Sequence, residues 1–250
     1  MTGMADTAWT PPPEYNATTG FIDDNLAAGR GDKVAFIDRS GEHTYGDLAK
    51  RVNRFGNALE KLDVRREERV ACCLLDTIDF PTAMFAGMKI GAVPVLINTL
   101  LTPDTYQYIL SDCRARVLVI SAELYPSFES ILPEIDCLEH VIISGDGIGS
   151  HAVMGDLLAA EPDTLDTAPT GCDDVAFWLY SSGSTGQPKG VKHLHSSMMY
   201  TAKLYGQPVL GIREDDVVFS AAKLFFAYGL GNGISFPMSV GATTVLMDGR

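Results

Sequence analysis

The stretch YSSGSTGQPKGVK, residues 180–192, packs four aliphatic hydroxyls, three glycines and two lysines into thirteen positions. Gly183 and Gly186 let backbone N–H groups approach an anion closely and tolerate positive φ. Ser181, Ser182, Ser184 and Thr185 offer hydroxyl donors, and Lys189 adds a mobile point charge. A compact ammonium suits a polyphosphate better than it suits planar recognition of a single carboxylate. The chemistry these types could do is therefore to cradle phosphates. Two other glycine-rich signatures are excluded by spacing. A Walker A loop needs GxxxxGK followed by Ser or Thr, whereas here STGQPKG follows Gly183. A nucleophile elbow, GxSxG, fails because Ser182 stands two residues before Ser184. A plain Gly/Ser surface turn is the bland alternative.

Such a loop works only if a rigid element presents it. The apolar run DVAFWLY (174–180) comes directly before it and reads as a buried strand, and a helix is expected over about 195–206. In an α/β sheet, ligands gather where strands end and helices begin, which is the place this reading gives the loop. Upstream, VAFID (34–38), VACCLL (70–75), VPVLI (93–97), RVLVI (116–120) and HVIIS (140–144) carry the strand signal. Between them lie helical patterns. Thr44 and Asp47 form a capping box ahead of Leu48, Val52, Phe55, Leu59 and Leu62 on one face. Further helices are expected over 80–92, 103–112 and 123–132. Residues 145–173 read as a connecting segment, and 217–222 and 243–247 as strands flanking a helix after Tyr228. Continuous Val/Ile/Leu runs alternating with helices predict an α/β fold, layered αβα, with largely parallel sheets. Residues 1–20 are Pro-rich and are expected to lie irregularly along the surface, with the folded unit running from 21 to 250.

Composition narrows the partners. A net charge of −13 repels nucleic acid, so an anionic ligand must be held by a local feature. Lys189, Lys192, His193 and His195 form the neighbourhood that could raise the potential near the loop. His43, His140 and His151 stand without partners at ligand spacing, and no metal site is expected. The five cysteines show no CxxC pairing and read as reduced residues of a cytoplasmic protein. Neither a signal peptide nor a run long enough to span a membrane is apparent.

YSSGSTGQPKGVKHLH resembles, without gaps, the phosphate-binding signature of the adenylate-forming superfamily of acyl- and aryl-CoA synthetases, luciferases and peptide-synthetase adenylation domains. TYGDLAKRVNRFGNAL and MKIGAVPVLINTLLTPDTYQYILSDCRARVLVI resemble other first-lobe segments of the same family. The resemblance implies ATP-dependent activation of a carboxylic acid as an acyl adenylate, with Mg²⁺, and then transfer to the thiol of coenzyme A. It assigns Ser181, Ser182, Gly183, Ser184, Thr185, Gly186 and Lys189 to the ATP phosphates. KLFFAYGL (223–230) is similar to a string that lines the acid pocket of aryl-CoA ligases, which puts Ala227, Tyr228 and Gly229 on pocket positions. Phe226 stands where a histidine is common, which removes any histidine role and predicts a more apolar wall. KLFFAYGLGN together with YSSGSTGQPKGVKH looks most like the corresponding segments of ligases acting on benzoate and its hydroxy or amino derivatives.

By the same resemblance, the adenine, ribose and Mg²⁺ contacts and the catalytic lysine come later in a chain of about twice this length. The 250 residues then correspond to the first part of the large N-terminal domain, hold no catalytic residue of their own and complete no adenylation alone. An adenylation module serving a carrier protein, or a non-catalytic nucleotide-binding fragment, remain open alternatives, and a homodimer is compatible with the likeness.

Overall fold

Alternation along the apolar runs decides how the main sheet is covered. Val70 and Cys72 belong to one buried cluster, and Ala71 and Cys73 to the other. Val117 and Val119 split from Leu118 and Ile120 in the same way. Successive side chains leave a strand on opposite faces, so a run apolar at every position must be buried on both. The computed structural model describes residues 9–182 and 186–249 and contains two sheets built on this rule. The strands are β1 (Val34–Asp38), β2 (Gly41–Thr44), β3 (Arg69–Cys73), β4 (Val93–Leu96), β5 (Ala115–Ser121), β6 (His140–Ser144), β7 (Ala152–Val153), β8 (Val175–Ser181), β9 (Lys189–Leu194), β10 (Val217–Phe219) and β11 (Thr243–Val245). The helices are α1 (Asp24–Ala27), α2 (Tyr45–Lys61), α3 (Asp79–Lys89), α4 (Pro103–Asp112), α5 (Met154–Ala160), α6 (His195–Thr201), α7 (Ala227–Leu230) and α8 (Phe236–Met238).

The larger sheet has the order β7-β6-β5-β3-β4-β8-β9 and is parallel except for the β8–β9 pair. The smaller has the order β10-β11-β1-β2, parallel except for β1–β2. One core cluster joins the sheets through α2 and α3, with Phe36, Leu48, Phe55, Val70 and Phe85 all inside it. Every residue of α3 from Phe80 to Lys89 is buried, as a helix lying between two layers must be. α4 covers the other face of the large sheet, where Tyr106 stacks on Phe128 at 4.2 Å. The expected capping box is present: the Asp47 N–H donates to Thr44 Oγ1 at 3.0 Å, and the Thr44 N–H donates to Asp47 Oδ2 at 3.1 Å. The layered, largely parallel α/β architecture is the one the sequence predicts.

Four local expectations are corrected. Residues 123–132 form 3₁₀ turns, Ala122–Ser127 and Leu132–Glu134, because Pro126 and Pro133 interrupt the helical ladder. The connecting segment carries β7 and α5, which docks Met154 and Leu158 into the core. The N-terminal segment does not stay on the surface, since Tyr15, Asn16, Ala17 and Thr18 are buried. Finally, the stretch between the glycine-rich loop and the expected helix is itself a strand: β9 returns antiparallel to β8, with Leu179 opposite Val191 and Ser181 opposite Lys189. The loop is therefore the tip of a β-hairpin, and α6 begins at His195, where the helix is expected. Cys72, Cys73 and Cys113 are buried, Cys137 and Cys172 are half-buried, and none of the five forms a disulfide.

Candidate active site

The β8–β9 hairpin has two faces with different uses. Phe177 and Leu179 point toward the core shared with α6, and Trp178 and Tyr180 point the other way. On the second face, the Tyr180 hydroxyl donates to Asp112 Oδ2, and Lys192 Nζ lies 5.5 Å from the centre of the Trp178 ring. Lys192 is thus drawn to the side away from α6. At the tip, Ser181 and Ser182 are exposed, and so are Gly186 and Lys189. Gly186 has φ +118°, a conformation that side chains rarely adopt, so the glycine is required by the turn itself. Gly183, Ser184 and Thr185 lie outside the described residues. The cross-strand register sets Lys189 directly opposite Ser181, so the lysine and the first hydroxyls of the loop start from one rung of the ladder.

A small pocket of about 130 Å³ opens against the first face. Phe177 and Leu179 of β8, His193 of β9, Met198 of α6, Ala227 of α7 and Phe236 of α8 form most of its wall. His193 stacks flat on Phe177, with ring centroids 4.6 Å apart and planes 4° from parallel. Burial lowers the His193 pKa from its ordinary value, which favours the neutral ring in an apolar wall. An apolar cavity of about 150 Å³ takes up benzene, so this pocket is of single-ring scale. Leu179 is two residues from Ser181, about 7 Å along the strand. A ring seated here and a phosphate at the hairpin tip would be neighbours.

Of the expected pocket residues, the structure brings Ala227 into this wall. Tyr228 stands outside it with its side chain 71% exposed. Gly229 is buried, and a Cβ there would lie 2.0 Å from the Lys223 carbonyl oxygen and 2.5 Å from that of Ala222. Its role in the fold is to let α7 sit directly on the turn before it. Phe226 is 46% exposed, tilted against buried Phe225 at 4.5 Å, and does not line the pocket, contrary to the more apolar wall the sequence suggests. The histidines do not charge the loop. His195 is fully enclosed, its Nδ1 accepts the Ala17 N–H at 3.0 Å, and burial pushes its pKa down to about 4. His43 instead bonds Asp38 Oδ1 at 3.0 Å, and His151 bonds the Tyr125 hydroxyl at 3.0 Å.

Sequence reasoning missed Phe177, Leu179, His193, Met198 and Phe236 as pocket wall. The alternation within VAFWLY separates Phe177 and Leu179 from Trp178, and that signal was available. The helix contribution was not, because it depends on where α6 and α8 dock. A second, more polar pocket of about 260 Å³ lies at the opposite ends of β3, β4 and β8, lined by Arg66, Arg69, Val93, Val175 and Lys192 among others. That position separates it from the hairpin tip. Among the described residues, no group of three or more His, Cys, Asp or Glu side chains could hold a metal ion. No described helix is long and apolar enough to cross a membrane.

A profile for the family described as AMP-binding enzyme matches residues 24–250. The benzoate–CoA ligase of Thauera aromatica is 53% identical over 99% of this chain and 48% of its own length. The 4-hydroxybenzoate–CoA/benzoate–CoA ligase of Rhodopseudomonas palustris is 48% identical over 96% of this chain and 44% of its own. Among solved structures, the anthranilate CoA ligase AuaEII in complex with anthranoyl-AMP superposes with a TM-score of 0.93 at 41% identity, covering 96% of this chain and 46% of that one. A benzoate CoA ligase from Burkholderia xenovorans gives a TM-score of 0.87 at 44% identity, covering 94% and 46%. The chain spans about half the length of the curated relatives it matches.

Proposed function

The chain belongs to the AMP-binding enzyme family, and on that premise we propose that it is the first part of an aryl-CoA ligase acting on benzoate or a close aromatic acid in the cytoplasm. The observation that carries the reading is the shared hairpin: its strands wall a pocket of single-ring scale and its tip carries the loop proposed to bind phosphate. In the proposed reaction a carboxylate oxygen attacks the α-phosphorus of ATP, pyrophosphate leaves, and an acyl adenylate forms. The thiolate of coenzyme A then attacks the acyl carbon and AMP leaves. The loop hydroxyls and N–H groups of 181–186, with Lys189, would hold the phosphates in line, which converts a two-body encounter into an oriented one. Ala227 would leave room for the ring. Tyr228 offers an exposed aromatic face beside it, and stacking or edge contact suits an aryl acid.

Among the described residues no cluster fits a metal ion, in keeping with the expectation that the Mg²⁺ contacts come later in a longer chain. The two curated relatives named above are CoA ligases for benzoate or 4-hydroxybenzoate, which supports coenzyme A over a carrier-protein thiol. The test is AMP formation by the full-length protein with benzoate, 4-hydroxybenzoate, 2-aminobenzoate, cinnamate and a medium-chain fatty acid. The single-ring acids should be turned over at least tenfold more efficiently than the fatty acid. Preference for the fatty acid would sink the reading.

A further inference from the structure

We infer that Asp76 is a positioning residue for the acid pocket: its buried carboxylate fixes the turn at 223–226, and that turn seats Ala227. The inference deepens the aryl-acid reading above and rests on it. Asp76 follows β3 in the loop leading to α3 and is only 6% exposed. Its Oδ1 accepts the Leu224 N–H at 3.2 Å, and its Oδ2 lies 3.8 Å from Lys223 Nζ. The lysine also donates to the carbonyl oxygens of Met247, at 2.8 Å, and of Gly249. One carboxylate thereby links the end of β3 to a turn nearly 150 residues later and to the segment after β11.

The turn transmits this anchoring to the pocket through close contacts. The Lys223 carbonyl accepts the Phe226 N–H at 3.0 Å and presses on Gly229, where a Cβ would stand 2.0 Å away. Leu224 is buried and packs against Gly233, whose added Cβ would meet Leu224 Cδ2 at 2.7 Å. Gly229 and Gly233 belong to the helical run that begins at Ala227, so a shift of the turn displaces that run and the pocket wall with it. A buried carboxylate is an expensive way to hold a turn, and two fitted glycines above it mark the place where position counts.

The anchoring group is also titratable. Burial raises the Asp76 pKa to about 6, with the Leu224 N–H and Lys223 opposing the rise and Asp248 adding to it. Asp248 is itself paired with Arg39 at 2.8 Å. Above pH 6 the carboxylate holds both the N–H and the ammonium, and below it the grip on Lys223 is lost. Benzoate stays ionised across this range.

The experiment measures KM for benzoate and for ATP in the full-length protein between pH 5 and 8, for the wild type, Asp76→Ala and Asp76→Asn. The expected result is a benzoate KM that rises as pH falls through 6 in the wild type. Asp76→Ala should raise benzoate KM about tenfold, equivalent to roughly 1.4 kcal/mol, with ATP KM within twofold of wild type. Asp76→Asn keeps the acceptor for Leu224 N–H and should show a benzoate KM that no longer varies with pH. A benzoate KM unchanged in Asp76→Ala, an equal rise in ATP KM, or a surviving pH dependence in Asp76→Asn overturns the inference. Where Asp76→Ala does not fold, the Asp76→Asn profile decides. A wild type without benzoate-dependent AMP formation removes the functional reading as well; an active wild type with unresponsive variants removes only this inference.

Discussion

Lys189 and Ala227 carry different parts of the proposed reaction, and substitutions should separate them. Lys189 is exposed at the first position of β9, so replacing it with alanine should leave the fold intact. Lys189→Ala is expected to raise the ATP KM at least tenfold while benzoate KM changes little, because one charge-assisted contact to phosphate is worth roughly 1.5–3 kcal/mol. Steady-state kinetics with each substrate varied in turn would check it. Ala227 borders a pocket of about 130 Å³, and a leucine there fills much of that space. Ala227→Leu should lower kcat/KM for benzoate at least tenfold and for a two-ring acid further, while a short aliphatic acid is spared. An unchanged order of acids would remove Ala227 from the pocket. At this scale the sequence was most informative: the order of hydroxyls, glycines and lysine in 180–192 is a local property of the chain. Tyr228 shows the limit. Its type suggested a pocket position; its side chain is exposed and lies outside the described pocket wall, a placement that only the packing of its helix could decide.

Elements matter because the hairpin and the 223–238 segment meet at one pocket. Gly229 is the contact on which that meeting depends, since any Cβ would collide with the carbonyls of Lys223 and Ala222. Gly229→Ala must therefore move backbone, at a cost on the order of 3 kcal/mol. The expected outcome is a lowered urea-unfolding midpoint together with a raised benzoate KM. Secondary structure from periodicity located most strands within a residue or two, and α4 was expected where it lies. It failed where prolines cut a helix at 122–134 and where β9 replaced a loop. Lys189–Leu194 is largely exposed, with only its last two residues half-buried. An edge strand of that kind has no apolar alternation to betray it, and it is a strand because β8 offers it a ladder.

Over the whole molecule, two buried titratable groups set opposing pH dependences. His195, held at about 4 by burial, binds its proton less readily folded than unfolded, so stability falls as pH drops from about 6.5 toward 4. Asp76, raised to about 6 by burial, binds its proton more readily folded, so its contribution to stability rises as pH drops from 6 toward 3.8. The two offset one another over the same window. Asp76→Asn should therefore stabilise the protein at pH 7–8, by on the order of 2 kcal/mol. Its stability should also decline more steeply toward pH 4 than that of the wild type, as read from urea unfolding across the range. A variant that tracks the wild type at every pH would contradict this. The chain by itself determined the fold class and the family, because apolar runs, helix caps and a contiguous motif are written in neighbouring residues. Tertiary structure alone decided that the loop tips a hairpin, that His195 is an internal acceptor rather than a surface charge, and that Asp76 meets Leu224. The last two facts join residues 178 and 148 positions apart, and burial, which sets both pKa shifts, exists only once the layers have packed.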